Sequence, residues 1–178
     1  AISGSYKAAK LPEEYIAFLK THLARNPNSI SISDLLAKTY IAEKKWGLAE
    51  GVLQQTIELE PKSTASYRLL GAVLLEQGKA SDALAIYQKG LLAVPESSAL
   101  MLAEAKYFKQ VKAYPEAIES YEKLLKKHPD TDEAANDLAD LLINAFDEPD
   151  KLKRAVELVE RFKGSQQPYA LDTYGWVL

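Results

Sequence analysis

Four prolines set the terms for this chain. Pro27, Pro61, Pro95 and Pro129 are each 34 residues apart. Each follows a stretch with helical spacing of apolar residues, and each precedes short polar residues: Ser29, then Ser63 and Thr64, Ser97 and Ser98, and Thr131 and Asp132. Proline lacks the amide that would continue a helix, and a short hydroxyl or carboxylate can satisfy the first free amides of the next helix. Four such punctuation marks in one register predict a repeat protein.

Other positions keep the period. Tyr40, Leu74, Phe108 and Leu142 form one series, and Ala37, Gly71, Ala105 and Ala139 form another that is always small. Ala49, Ala83 and Ala117 recur at the start of a second helix, and Leu53, Tyr87 and Tyr121 follow one turn later. Small residues at fixed places let two helix backbones cross closely, and the large residue a turn away fills the space beside them. A single helix pair cannot bury its apolar face alone, so neighbouring pairs must stack. Between paired helices lie the short turns "EKKWG", "EQGKA" and "VKAYP".

The segments "ASYRLLGAVLLEQGKASDALAIYQKGLLAVP" (65–95) and "ALMLAEAKYFKQVKAYPEAIESYEKLLKKHP" (99–129) closely resemble the tetratricopeptide repeat. The resemblance covers essentially the whole chain and implies an all-α, right-handed superhelical solenoid of antiparallel helix pairs. Residues 1–29 fit a partial repeat, with Tyr6 34 residues before Tyr40 and Tyr15 where the family has alanine, which predicts looser or shifted packing there. Residues 30–63, 64–97 and 98–131 are regular repeats. Residues 132–167 carry about four extra residues before Ala155, read as an extended turn around Asp147 to Asp150. Residues 168–178 read as the first helix of a further repeat, Gly175 lying 36 residues after Ala139. Both ends then fall inside repeats, and the expectation is a fragment of a longer array, with end-to-end self-association through the cut repeats left open. Val177 and Leu178 are expected to be frayed or covered by another molecule.

Composition limits function. The net charge of −3 and pI near 5.5 lack the basic excess that phosphate neutralisation requires, so a nucleic-acid partner is not expected. Zero cysteines exclude disulfides and thiol catalysis. No apolar run reaches the roughly 18 residues that span a bilayer, so no direct membrane insertion is expected of these residues. The signatures of zinc proteases, phosphate-binding loops and serine hydrolases are missing, and His22 and His128 are far apart, each expected to be solvated or near helix-end carbonyls. The reading is a non-catalytic protein with no metal or cofactor.

What remains is a surface. The resemblance implies that the first helix of each pair lines the inner face. Helical spacing from the packed positions then puts Asp34, Lys38 and Ile41 on that face, followed by Arg68, Ala72 and Leu75. Leu102, Lys106 and Lys109 come next, then Glu133, Asn136, Asp137, Asp140 and Asn144. The order runs from basic and apolar to acidic and amide-rich, which suggests a protein or peptide partner whose acidic part lies near Lys38, Arg68 and Lys106, against the alternative of a merely solvated face. Some eukaryotic co-chaperones of the family grip a terminal carboxylate with lysines, asparagines and an arginine. Here Asp34, Leu69, Ala99 and Ala103 stand in the matching places, so that mode is disfavoured.

The carboxy-terminal part resembles a repeat pair of large bacterial proteins of the family, through Asn136 in one helix and Asp172, Thr173, Gly175 and Trp176 in the next. That likeness implies a scaffold in envelope or export assembly, periplasmic or outer-membrane-anchored, of lipoprotein type. Asn136 and Asp172 occupy equivalent places in successive repeats, which suggests a hydrogen bond between neighbouring helices, against the alternative that both face water. Two other readings stay open: a docking region of a larger enzyme such as a glycosyltransferase, and RNA binding by helical repeats.

Overall fold

The computed structural model describes residues 12–162. Those residues form nine α-helices, no strand, and a closing 3-10 turn at Glu160–Phe162. In chain order they are α1 (Pro12–Arg25), α2 (Ile30–Ala42), α3 (Trp46–Leu59), α4 (Thr64–Glu76), α5 (Ala80–Ala93), α6 (Ser98–Gln110), α7 (Tyr114–Lys127), α8 (Asp132–Ala145) and α9 (Pro149–Val159). Two compact units divide the chain, residues 1–100 and 101–178. Within the first, α1 packs on α2, α2 on α3, α3 on α4 and α4 on α5; within the second, α7 packs on α8 and α8 on α9. The expected helices at 168–178 and before residue 12, the fate of Val177 and Leu178, and the Asn136–Asp172 bond lie outside the described residues.

The prolines do one job four times. In each case the proline is the second residue past a helix end and occupies the second place of a turn. The amide of Ser29 bonds the carbonyl of Asn26, Ser63 that of Glu60, Ser97 that of Val94 and Thr131 that of His128, at 3.0–3.1 Å. Proline suits that place because its ring fixes φ near the value the turn needs. Ser29, Ser63 and Thr131 are the N-caps of the next helices. The Ser63 hydroxyl accepts from the Ser66 amide, and the Ser97 hydroxyl from the Leu100 amide at 3.3 Å; Ser29 and Thr131 cap without a side-chain bond.

The turns inside the pairs are equally regular. Lys44, Gly78 and Lys112, again 34 apart, all have positive φ, at 55°, 75° and 61°. The amides of Lys44, Gly78 and Lys112 bond the carbonyls of Ile41, Leu75 and Lys109, and the next amides reach back to Tyr40, Leu74 and Phe108 at 2.8–2.9 Å. This paired closure satisfies the last carbonyls of the first helix and places one residue in the left-handed region, where glycine is the unstrained choice.

The packed positions are those the period marks. Ala49, Ala83, Ala117 and Ala155 are fully buried, as are Ala37, Ala105 and Ala139. Gly71 is required by its partner: a Cβ there would lie 2.1 Å from Cε1 of Tyr87. Gly90 is crowded in the same way, a Cβ meeting Tyr67 and Leu100 at 2.8–2.9 Å. Tyr15, where looser or shifted packing is expected, is buried, its ring stacked on Phe18 with centroids 6.5 Å apart.

The irregular repeat also differs from expectation. The connection from α8 to α9 is Phe146–Glu148, three residues long like those after α2, α4 and α6. The extra residues are helical. Ala155 is the seventh residue of α9, whereas Ala49, Ala83 and Ala117 are the fourth residues of theirs. Pro149 stands at the first position of α9 and Asp150 in its first turn, where a missing amide costs nothing and a negative charge meets the helix dipole favourably. Phe146 ends α8 in extended conformation, and its ring sits edge-on to Tyr114 at 6.3 Å with the Lys151 ammonium 5.5 Å from its centroid.

Replacing Lys44 or Lys112 by glycine relieves a left-handed side chain in an exposed turn. Each variant should gain about 0.5–1 kcal/mol, read as a higher urea midpoint at unchanged slope. The same exchange at Lys62, exposed in a proline turn, should give no gain.

Candidate functional site

The residues expected on the inner face lie on α2, α4, α6 and α8. In the first unit Lys38, Arg68 and Ala72 are exposed, and Asp34, Ile41 and Leu75 are half-buried. Among the described residues, neither Lys38 nor Arg68 has an ion-pair or hydrogen-bond partner. Asp34 precedes Lys38 by one helical turn without pairing to it, and its Oδ1 is buried with no bonding partner.

The second unit is built differently. Lys106 on α6 pairs with Glu133 and, at 3.5 Å, with Asp137, both on α8. Lys109 pairs with Asp140 at 2.7 Å. Asn144 donates to both the backbone carbonyl and the carboxylate of Asp140, and the Tyr121 hydroxyl donates to Asp137 at 3.3 Å. Desolvation works against the Lys106 charge, but Glu133 and Asp137 outweigh it and hold its pKa above the ordinary lysine value. Burial, reinforced by Asp137, pushes the Tyr121 phenol up as well. Leu102 is half-buried on α6, and Asn136, half-buried on α8, is itself engaged in a contact. The expected basic-to-acidic gradient is thus, within this unit, a set of mutual ion pairs.

Single-helix spacing missed these pairs because their partners lie 27 and 31 residues on. The same kind of offset carries others. Glu50 on α3 accepts from the Gln77 amide at 2.8 Å and from Lys79 at 3.0 Å. Arg154 on α9 forks onto both oxygens of Glu122 on α7 at 2.8 and 2.9 Å. Lys45 pairs with Glu13, and Arg161 donates to the Pro129 carbonyl. Opposite charges separated by roughly one repeat are the sequence signal that finds them.

His22 lies in the last turn of α1 and His128 caps the end of α7. Both are half-buried: His22 lies 4.2 Å from Phe18, and the Nε2 of His128 is buried without a partner. No group of three or more acidic or histidine side chains among the described residues is arranged to hold a metal ion, and no helix there is long and apolar enough to cross a membrane.

Two family models, each described as tetratricopeptide repeat, match residues 40–107 and 102–168. The chain belongs to the tetratricopeptide-repeat family. Its fold is the all-α helical solenoid of that family. Solved structures agree. MamA from Desulfovibrio magneticus RS-1 superposes with a TM-score of 0.72 at 17% identity, covering 93% of this chain and 94% of that one. A thermophilic repeat protein of Thermus thermophilus gives 0.70 at 17% identity, covering 99% and 93%. YrrB, described as having an unusual peptide-binding site, gives 0.61 at 12% identity, covering 97% and 83%. At these identities the likeness concerns the fold. No curated protein matches. Tetratricopeptide repeats build protein-interaction scaffolds, and at that level this chain is one.

Glu50 offers a check on the inter-repeat bonding. The Gln77 hydrogen bond first, then Lys79, hold its carboxyl below the usual range. A depressed folded-state value stabilises fully above the ordinary glutamate pKa of about 4.3, and that stabilisation is lost as pH falls through the folded value. Glu50→Gln should therefore lose less stability than the parent chain between pH 6 and pH 3, measured by urea unfolding at each pH. An equal loss would mean that Glu50 is not held.

Proposed function

We propose that this protein is a non-catalytic scaffold that holds a segment of a partner protein against the exposed faces of its first helices. The observation that carries the reading is the face of α2 and α4. There Lys38, Arg68 and Ala72 stand exposed, with Ile41 and Leu75 half-buried on the same helices. Exposed cations that lack a partner among the described residues, set beside apolar side chains, are poor contributors to folding and good ones to recognition, since an exposed charge costs little to keep. The peptide-binding site described for YrrB supports the reading by analogy of fold. A place in bacterial envelope or export assembly is a narrower proposal, supported by the resemblance carried by Asn136 and by Asp172 to Trp176.

A photo-reactive amino acid at Ala72 tests the scaffold reading against the same group at Gln88, exposed on second helix α5. In cells of the native organism, Ala72 should give a discrete crosslinked protein that Gln88 does not, and Arg68→Glu should remove it. Equal yields from both positions, or none from Ala72, would contradict the proposal.

A further inference from the structure

The repeat makes the two units comparable slot by slot. On α6, Lys106 reaches Glu133 and Asp137, which lie 27 and 31 residues on; Lys109 reaches Asp140, also 31 on. One repeat earlier the Lys106 slot is Ala72, and two repeats earlier it is Lys38. The slots that would answer Lys38 are Ala65 and Leu69, where the second unit has Glu133 and Asp137. The Lys109–Asp140 pair becomes Ile41 and Ala72. So the places that hold a charge clasp in the second unit hold, in the first, one lysine among apolar residues. Arg68, exposed on α4, adds a second cation without an ion-pair partner among the described residues.

From this difference we infer that the face of α2 and α4 selects a protein segment in which acidic side chains alternate with apolar ones, while Lys106 and Lys109 take no part in reading acid. The inference rests on the scaffold reading and narrows its partner. The acid is carried on side chains within the segment and not on a free chain end, because Asp34, Leu69, Ala99 and Ala103 offer no cluster of donors for a terminal carboxylate. The clasp gives the second unit its own internal acid: Glu133, Asp137 and Asp140 already occupy the two lysines that an incoming acidic segment would need. Attraction by Lys38 and Arg68 is exposed and therefore weakens with salt, whereas contacts with Ile41 and Leu75 do not.

Synthetic octapeptides of alternating Asp and Leu, with the carboxy terminus amidated or free, and the Asn–Leu equivalent serve as probes against the whole 178-residue chain by fluorescence anisotropy. The Asp–Leu peptide should bind roughly tenfold more tightly than Asn–Leu, the scale of two exposed ion pairs. Amidation should make no difference. The preference should vanish in Lys38→Gln/Arg68→Gln and persist in Lys106→Gln, each variant being checked for unchanged helicity. Equal affinity for the Asp–Leu and Asn–Leu peptides overturns the acid preference and leaves the scaffold reading standing. A preference lost with Lys106 or retained without Lys38 and Arg68 overturns the assignment to this face, as does a need for the free carboxylate. If neither peptide binds, the inference fails, and the Ala72 crosslink alone decides the broader reading.

Discussion

Everything in this protein depends on how closely two helices of one repeat can cross. At the α4–α5 crossing the volume left by Gly71 is filled by the Tyr87 ring, so near that an added methyl would overlap it. The slots one repeat earlier hold Ala37 and Leu53, and the irregular repeat has Ala139 and Val159; all are buried. Each pair of slots combines a small buried residue on the first helix with a larger one on the second, and the larger one varies. Tyr121 stands in the Tyr87 slot opposite Ala105 rather than glycine, and its hydroxyl reaches Asp137 on the following helix. The Tyr87 phenol, lacking an acid in the corresponding place, is pushed up to about 12 by burial. Interiors at close-packed density tolerate such an exchange only where the neighbouring side chain sits differently or is itself exchanged.

With the crossing fixed, the remaining freedom lies at the seams between repeats, and there charge takes over. Glu50 with Gln77 and Lys79, and Arg154 with Glu122, tie second-helix surfaces to the next repeat, while Lys106 and Lys109 tie α6 to α8. These contacts are largely solvent-accessible and individually weak. Their value is positional: they decide which charges stay available to a partner and which are already spoken for. Among the described residues, Lys38 and Arg68 stand outside this set of pairs.

The period and the buried small residues were legible because each reflects a steric demand that recurs at a fixed interval. The proline turns were legible for the same reason. Three features were not. The left-handed turn position is glycine only at Gly78, so Lys44 and Lys112 concealed it. The insertion before Ala155 has the composition of a loop, yet Pro149 and Asp150 are equally at home in the first turn of a helix, and they extend α9 instead. Lys106 and Lys109 were readable as surface cations from their own helix, but their pairing with α8 depends on residues a repeat away. Of the candidate face, the positions were visible in sequence and the division between paired and unpaired charges was not.

The central claim is that Gly71 and Tyr87 share one volume at their helix crossing, and a double-mutant cycle at the two positions measures it directly. Gly71→Ala alone should destabilise by about 1–3 kcal/mol through overpacking. Adding Tyr87→Leu, which recreates the Ala37 and Leu53 arrangement, should recover most of that loss, giving a coupling energy above about 1 kcal/mol by urea unfolding. Losses that simply add would show the two sites to be independent and contradict the account.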